Sequence, residues 1–229
     1  MNRRYFLDAL AALGAFTALP ALAGLDDKVF AAGAPLRIGV VAVGGAGSNI
    51  VSNLRDQLPQ TTQTIAINTD ATSLPDTLAD VKVLVEGGPQ ASPDAARAQA
   101  LGHEAAIAQA LSPFELVFIV AGMGGSAGTG IAPLVAEVAK RTATLTVGVA
   151  VTPFSFEGDK RNSVAQQGVA DLRGKVDAFF EISNERLTQS SGESVPFATL
   201  LRQADPAFMK VYTSTVEALI FSSSITKLA

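Results

Sequence analysis

Two glycine-rich stretches decide the fold that this sequence predicts: Val43-Gly44-Gly45-Ala46-Gly47-Ser48-Asn49 and Gly122-Met123-Gly124-Gly125-Ser126-Ala127-Gly128-Thr129-Gly130. We refer to them as the first and second glycine segments. Each follows a run rich in β-branched residues, at 36–43 and 116–121, and each leads into a segment with helical spacing of apolar residues. A strand, a glycine turn and a helix in succession are typical of a parallel sheet with crossover helices.

Further β-branched and apolar runs predict the rest of the sheet. The expected strands are residues 36–43, 64–68, 81–85, 116–121, 144–151 and 178–183. Helices are expected around 50–58 and over 93–111, 133–141, 158–173 and 197–221, the last with Pro206 near its start. We therefore predict a three-layer, Rossmann-like α/β domain. It has a mostly parallel sheet of about six strands and a long C-terminal core helix.

The two glycine segments are expected to face one crevice. In a doubly wound sheet of order 3-2-1-4-5-6, the first and fourth strands flank the point where the winding reverses. Glycine lets backbone N–H groups approach an anion, and a helix N-terminus adds a favourable dipole. Two such cradles suit the phosphates of a nucleotide. The glycines also have a purely structural interpretation, as tight turns and close helix–sheet contacts.

Known sequence motifs restrict the type of nucleotide site that is expected. A P-loop requires G-x-x-x-x-G-K-[ST], but Gly130 is followed by Ile131 and not by lysine. A dinucleotide fingerprint requires a third glycine where Ile50 stands, although Asp70 takes the position of the ribose-binding acid. A nicotinamide-dependent Rossmann enzyme therefore stays as an alternative.

Composition excludes several other classes. The 229 residues contain no cysteine, which excludes disulfides, thiolate metal sites and cysteine nucleophiles. There are 17 Lys and Arg residues against 21 Asp and Glu, and a net charge of −4 offers no basic surface for nucleic acid. The only histidine, His103, lies in an Ala-rich stretch without a serine nucleophile signature, so we expect a solvated helix residue. No metal site is predicted.

The first 23 residues have the pattern of a secretory signal. Arg3 and Arg4 precede a short apolar run that ends in Ala21-Leu22-Ala23. The paired arginines are similar to the bacterial twin-arginine signal, and the run is too short for a stable membrane span. We expect a signal peptide over 1–23, a linker over 24–35 and the nucleotide-binding domain over 36–229. This predicts a periplasmic protein; a cytoplasmic one, or one tethered by an uncleaved signal, is the alternative.

Five motifs, in order, resemble those of the tubulin/FtsZ GTPase family. They are residues 38–49, Ala66-Ile67-Asn68-Thr69-Asp70, residues 121–133, Pro153-Phe154-Ser155-Phe156-Glu157-Gly158-Asp159-Lys160-Arg161 and Asn184-Glu185-Arg186-Leu187. The resemblance covers about residues 36–187. It implies the family's fold and a site for GTP or GDP, with Mg²⁺ as an accompanying ion.

The resemblance also implies which residues contact the nucleotide. The first glycine segment would contact the α- and β-phosphates, with the second segment opposite it. Glu157 would bind the ribose with Arg161 nearby, and Asn184 would bind the guanine. The full expected set is Gly44, Gly45, Ala46, Gly47, Asn49, Asn68, Gly124, Gly125, Ser126, Ala127, Gly128, Thr129, Gly130, Glu157, Arg161, Asn184 and Asp205.

This chain departs from the family pattern at several positions. Ala127 replaces a threonine, and the loop after the third strand carries Glu86 and Pro89, which add a negative charge and remove an N–H donor where the terminal phosphate would lie. Asp205 lies about two residues from the place of the family's guanine-binding aspartate. The chain ends at Ala229, so we expect neither the family's second domain nor its catalytic acidic loop, and we name no catalytic residue.

The sequence therefore predicts a guanine-nucleotide-binding protein with weak or partner-dependent GTP hydrolysis. Its expected partners are the nucleotide and either a full-length FtsZ-like protein or a second copy of itself. The alternative is an exported, non-catalytic domain with a binding or structural role.

Overall fold

The computed structural model of this chain describes residues 36–142, 144–189, 199 and 202–225. Six strands form one sheet. They are β1 (Ile38–Val43), β2 (Thr62–Asn68), β3 (Val81–Leu84), β4 (Leu116–Gly122), β5 (Leu145–Thr152) and β6 (Ala178–Ser183). Each lies within two residues of its predicted bounds, because the β-branched runs that predict the strands are the residues buried in the sheet.

The strand order is β3-β2-β1-β4-β5-β6, and every neighbouring pair is parallel. This confirms the predicted doubly wound topology. In the centre, Val43 of β1 pairs with Ile67 of β2 and with Ala121 of β4. The carboxyl ends of these three strands therefore lie side by side, at the point where the winding reverses.

The connections between the strands are helical. The helices are α1 (Gly44–Leu54), α2 (Pro93–Leu101), α3 (Glu104–Leu111), α4 (Ser126–Arg141), α5 (Asp159–Arg173), α6 (Asn184–Gln189) and α7 (Ala204–Ile225), with a 3₁₀ turn at Ser155–Glu157. Pro206 lies in the first turn of α7, where a missing N–H costs nothing. The predicted polar loop after α6 and the first residues of the predicted last helix, 197–198, lie outside the described residues.

Four helices differ from their prediction. The helix expected around 50–58 spans Gly44–Leu54, and the helix expected over 197–221 is described over Ala204–Ile225. The helix expected over 133–141 begins at Ser126, so Pro133 lies inside α4 and half of the second glycine segment is helical. Nearly all of α4 from Gly128 to Ala139 is buried, and this packing outweighs the unfavourable helix propensity of glycine and proline. The helix expected over 93–111 is broken, because the chain makes a tight turn at Gly102 and His103 between α2 and α3.

Both faces of the sheet are covered. On one face, alternate strand residues such as Val41, Ile65 and Ile119 pack in a single buried cluster with side chains of α2, α3, α4 and α5. Phe118 points to the opposite face, since successive strand side chains alternate. Its ring meets that of Phe208 in the first turns of α7, edge to face, with centroids 6.2 Å apart.

Two aspartates make equivalent hydrogen bonds near the amino ends of the strands. Asp177 Oδ2 accepts hydrogen bonds from the backbone N (2.9 Å) and the hydroxyl (3.1 Å) of Thr146 in β5. Asp80 Oδ2 accepts the same two bonds from Thr64 in β2, at 2.7 and 2.9 Å. Asp80 and Asp177 precede the edge strands β3 and β6, so each one ties an edge strand to its inner neighbour.

The chain divides into two compact units. Arg37–Phe208 contains the sheet, helices α1 to α6 and the start of α7. Of the other unit, the structure describes Leu36 and the remainder of α7, residues 209–225. Among the described helices, none combines the length and the apolar character needed to cross a membrane. The predicted signal peptide and linker lie outside the described residues.

Candidate nucleotide site

The two glycine segments touch each other at the carboxyl ends of β1 and β4. Gly44 has a φ of +71°, and a methyl group on it would come within 2.9 Å of the Gly128 backbone N. A methyl group on Gly122 would come within 2.5 Å of Ala46 Cβ. The two glycine segments are therefore in direct contact, with the start of α1 against the start of α4.

Some of the glycines face neighbouring backbone and others face open space. A methyl group on Gly47 would collide with the Val120 carbonyl oxygen, and one on Gly128 would collide with that of Gly122. By contrast, a methyl group on Gly45 or Gly125 would meet no atom within 4 Å. The structural interpretation thus accounts for Gly47 and Gly128, whereas no close contact with a described residue accounts for Gly45 and Gly125.

The remaining residues of the two glycine segments differ in how far they are buried. Ala46 and Asn49 are exposed, and Gly124, Ser126 and Ala127 are half-buried. Thr129 and Gly130 are buried. The Thr129 hydroxyl accepts a hydrogen bond of 2.9 Å from the Gly124 backbone N, which holds the turn between β4 and α4.

Two helix N-termini converge on this surface. The first backbone N–H groups of any α-helix have no partner within the helix. Within the described residues, neither α1 nor α4 has a side chain that caps these groups. In the same part of the chain that the structure describes, the helices α3 and α5 also lack a capping side chain, whereas in α2 Ser92 accepts a hydrogen bond from the Ala95 backbone N, so the meeting of two uncapped ends is what distinguishes this surface. Uncapped N–H groups and two helix dipoles at one place favour an anion.

Asn68, at the end of β2, lies next to β1 but is engaged in its own turn. Its Oδ1 accepts a hydrogen bond of 2.8 Å from the Thr69 backbone N, and the side chain is buried. Asp70 Oδ1 accepts bonds from the hydroxyl and backbone N of Thr72, and these bonds lower the pKa of Asp70 to about 2. Both side chains shape the turn after β2.

Glu157 and Arg161 lie beside the second glycine segment and are paired with each other. Arg161 Nε is 2.9 Å from Glu157 Oε2, and Glu157 Oε1 accepts a bond of 2.8 Å from the Phe154 backbone N. A methyl group on Gly124 would come within 2.8 Å of the Arg161 carbonyl oxygen, so the start of α5 packs directly on that segment. Each oxygen of Glu157 thus has one partner in this arrangement.

Asn184 begins α6 at the carboxyl end of β6. Its Oδ1 is buried and, among the described residues, has no hydrogen-bond partner. The next residue, Glu185, accepts bonds of 3.0 Å from the backbone N and the hydroxyl of Ser155, and these bonds lower the pKa of Glu185. Glu185 therefore ties α6 to the turn after β5, a role that the sequence did not reveal.

Asp205 does not lie with the glycine segments. Its Oδ2 accepts a hydrogen bond of 3.0 Å from Asn53 Nδ2. Asn53 is near the end of α1, about 13 Å along the helix from Gly44. Burial raises the pKa of Asp205, although the bond from Asn53 opposes the shift. The structure thus pairs Asp205 with the far end of α1.

Comparison with known proteins identifies the family. The sequence model described as "Tubulin/FtsZ family, GTPase domain" matches residues 37–192. The cell division protein FtsZ of Neisseria gonorrhoeae is 37% identical over 208 residues, which cover 88% of this chain and 53% of that protein. The chain thus spans about half the length of this relative.

Solved structures of other proteins are also similar to this chain. The structure described as an empty FtsZ dimer from M. jannaschii has a TM-score of 0.71 and 34% identity, over 76% of this chain and 52% of that one. The GTPγS-bound CetZ2 protofilament from Haloferax volcanii shares the fold, with a TM-score of 0.66 and 22% identity over 82% and 59% of the two chains. Since the family model covers more than half of the sequence and the relative is more than 30% identical, this chain belongs to the tubulin/FtsZ family and contains its GTPase domain.

Proposed function

We propose that this chain binds GTP or GDP, with the nucleotide phosphates against the two glycine segments. One observation carries the proposal: the uncapped N-termini of α1 and α4 meet at one edge of the sheet, and there Gly45 and Gly125 face open space. Backbone N–H groups at helix N-termini bind phosphate oxygens well. Membership of the tubulin/FtsZ family supports guanine as the base.

Asn184 is the residue that we assign to the base. Its buried Oδ1 has no partner among the described residues, and an amide offers both a donor and an acceptor to the polar edge of guanine. Glu157 Oε2 pairs with Arg161 and Oε1 accepts from the Phe154 backbone N, and each of these oxygens has a second lone pair that can accept from a ribose hydroxyl. Glu157 can therefore bind the ribose while it stays paired with Arg161.

Mg²⁺ would be held by the nucleotide and by water. No cluster of three or more His, Asp or Glu side chains suited to a metal ion occurs in the part of the chain that the structure describes. Mg²⁺ keeps several waters and is commonly bound through substrate phosphates. The residues present therefore fit an ion that arrives with the nucleotide.

Hydrolysis by the chain alone is slow, or depends on a partner, in this proposal. A general base must lie within hydrogen-bond reach of the attacking water. Glu157 pairs with Arg161, Asp70 accepts bonds from Thr72, and Glu185 accepts two from Ser155, so each of these carboxylates holds a turn or a helix end, and we assign none of them as the base. A full-length FtsZ or a second copy of this chain would then supply the general base. The test is GTP turnover with and without added full-length FtsZ.

The binding experiment compares two glycines that have different surroundings. Glu at position 125 would place a carboxylate in open space beside the proposed phosphates, so Gly125→Glu should weaken GDP binding at least about tenfold. Gly174→Glu is the matched control, because Gly174 lies at the other end of α5, about 20 Å along the helix from Arg161, with ordinary clearance. Calorimetry with GDP, and chromatography of nucleotide released on denaturation, give the readouts. Equal affinities of parent and Gly125→Glu would refute the site.

A further inference from the structure

The loop between β3 and α2, residues 86–92, is held at its start by the turn between α2 and α3. His103 Nε2 accepts a hydrogen bond of 3.2 Å from the Glu86 backbone N. Gln99 Nε2 donates to the carbonyl oxygens of Val85, at 3.3 Å, and of Glu86. His103 is therefore not the solvated helix residue that the sequence predicts. It ties two segments 17 positions apart.

The far end of the same loop lies against the second glycine segment. Gly130 has no room for a methyl group, because the Pro93 carbonyl oxygen lies directly over its Cα. Between the two ends, Gln90 Nε2 donates to the carbonyl oxygens of Gly87 (3.4 Å) and Gly88 (3.1 Å). The loop is thus fixed at both ends and leads directly to the start of α4.

We infer that His103 is a positioning residue, which in its neutral form holds this loop in place beside the proposed phosphate site. The link to the phosphates rests on the proposed function. The neutral form must carry its proton on Nδ1, since Nε2 accepts a bond and Nδ1 lies 3.3 Å from the Gln99 carbonyl oxygen. A second proton, on Nε2, would face the Glu86 N–H and abolish the contact.

The tautomer of His103 is the first test. Because there is a single imidazole, its ¹⁵N signals in the full chain need no assignment by mutation. At pH 8 the inference requires the proton on Nδ1 and an unprotonated Nε2. A proton on Nε2 at pH 8 would overturn the inference.

Amide protection of the loop is the second test, measured by hydrogen exchange and normalised to intrinsic rates. At pH 8, protection at the Glu86 amide should fall about 2- to 12-fold in His103→Leu relative to the parent, as expected for one lost hydrogen bond. In His103→Gln the amide oxygen can accept from the same N–H, so protection should stay near that of the parent. A leucine variant with full protection at Glu86 would overturn the inference.

These two tests need no nucleotide. If the parent binds neither GTP nor GDP, the proposed function fails while the role of His103 is still decided by exchange. If the parent binds, the ratio of GTP to GDP affinity should change about 2- to 12-fold in His103→Leu and return in His103→Gln. An unchanged ratio in the leucine variant would contradict the link between the loop and the phosphates.

Discussion

The same methyl group, added at Gly45 or at Gly47, should have opposite effects on stability. Both glycines lie in the first turn of α1, two positions apart. On Gly45 a Cβ meets nothing within 4 Å, and alanine is a better helix former than glycine. Gly45→Ala should therefore stabilise the fold by about 0.5–1 kcal/mol, which raises Tm by about 1–4 °C for a chain of this size.

On Gly47 the Cβ would lie under 3.0 Å from the Val120 carbonyl oxygen and 3.3 Å from its carbonyl carbon. That carbonyl is part of the β4 backbone, where Val120 pairs with Ala42 of β1 and Val149 of β5, so it cannot move without disturbing the sheet. Overpacking of this kind costs about 1–3 kcal/mol. Gly47→Ala should lower Tm by about 2–12 °C.

Urea unfolding and thermal melts of the three proteins, followed by circular dichroism, measure these stability changes. Nucleotide binding also distinguishes the Gly45→Ala variant. The Gly45 methyl occupies the space proposed for phosphate and should weaken GDP binding about 10- to 100-fold, as for a lost charge-assisted hydrogen bond, although the protein is more stable. A Gly47→Ala protein as stable as the parent, or a destabilised Gly45→Ala protein, would refute the assignment of closed and open glycines.

Three other results are expected. Asp177→Ala leaves the buried N–H and hydroxyl of Thr146 without their acceptor and should lower the free energy of unfolding by about 3 kcal/mol, measured with urea. The Asp80 side chain is 32% exposed, so Asp80→Ala should lower it by less. Equal losses in the two variants would contradict this. Burial raises the pKa of Asp205, so the contribution of Asp205 to stability is lost as pH rises through that pKa. Asp205→Asn keeps an acceptor for Asn53 and should become more stable relative to the parent as pH rises from about 4 to 7.5. A stability difference between the two proteins that stays constant over this range would refute the argument. For localisation, we propose export, so fractionation should find a periplasmic protein of the size of residues 24–229, and only full-length cytoplasmic protein would exclude it.

Much of the fold could be predicted because its signals are local. The buried parallel strands are continuous apolar runs, and the glycine segments mark the ends of β1 and β4, so the strand order followed from general rules of sheet winding. The start of α4 at Ser126 was missed because five residues of glycine-rich sequence have low helix propensity, and only burial against the sheet explains why they are helical.

The site was less predictable because its contacts join distant residues. Nothing near His103 in the sequence reveals its bond to Glu86, and the pairing of Asn53 with Asp205 spans 152 positions. The bond between Glu157 and Arg161 has the spacing of an ordinary helix pair, so the sequence could not show that it orients the carboxylate proposed for the ribose. The glycines were found as a group, and only the structure divides them into closed and open positions.

The contact between Gly122 and Ala46 has a consequence for how these segments can vary. Their Cα atoms leave space for a single methyl group, and in this chain it belongs to residue 46. Gly122→Ala alone should therefore be destabilising, whereas the exchange Ala46→Gly with Gly122→Ala should restore the fold, as measured by urea unfolding. The two positions form a linked pair, and a methyl group on the β4 side is tolerated only when the methyl group on the β1 side is removed.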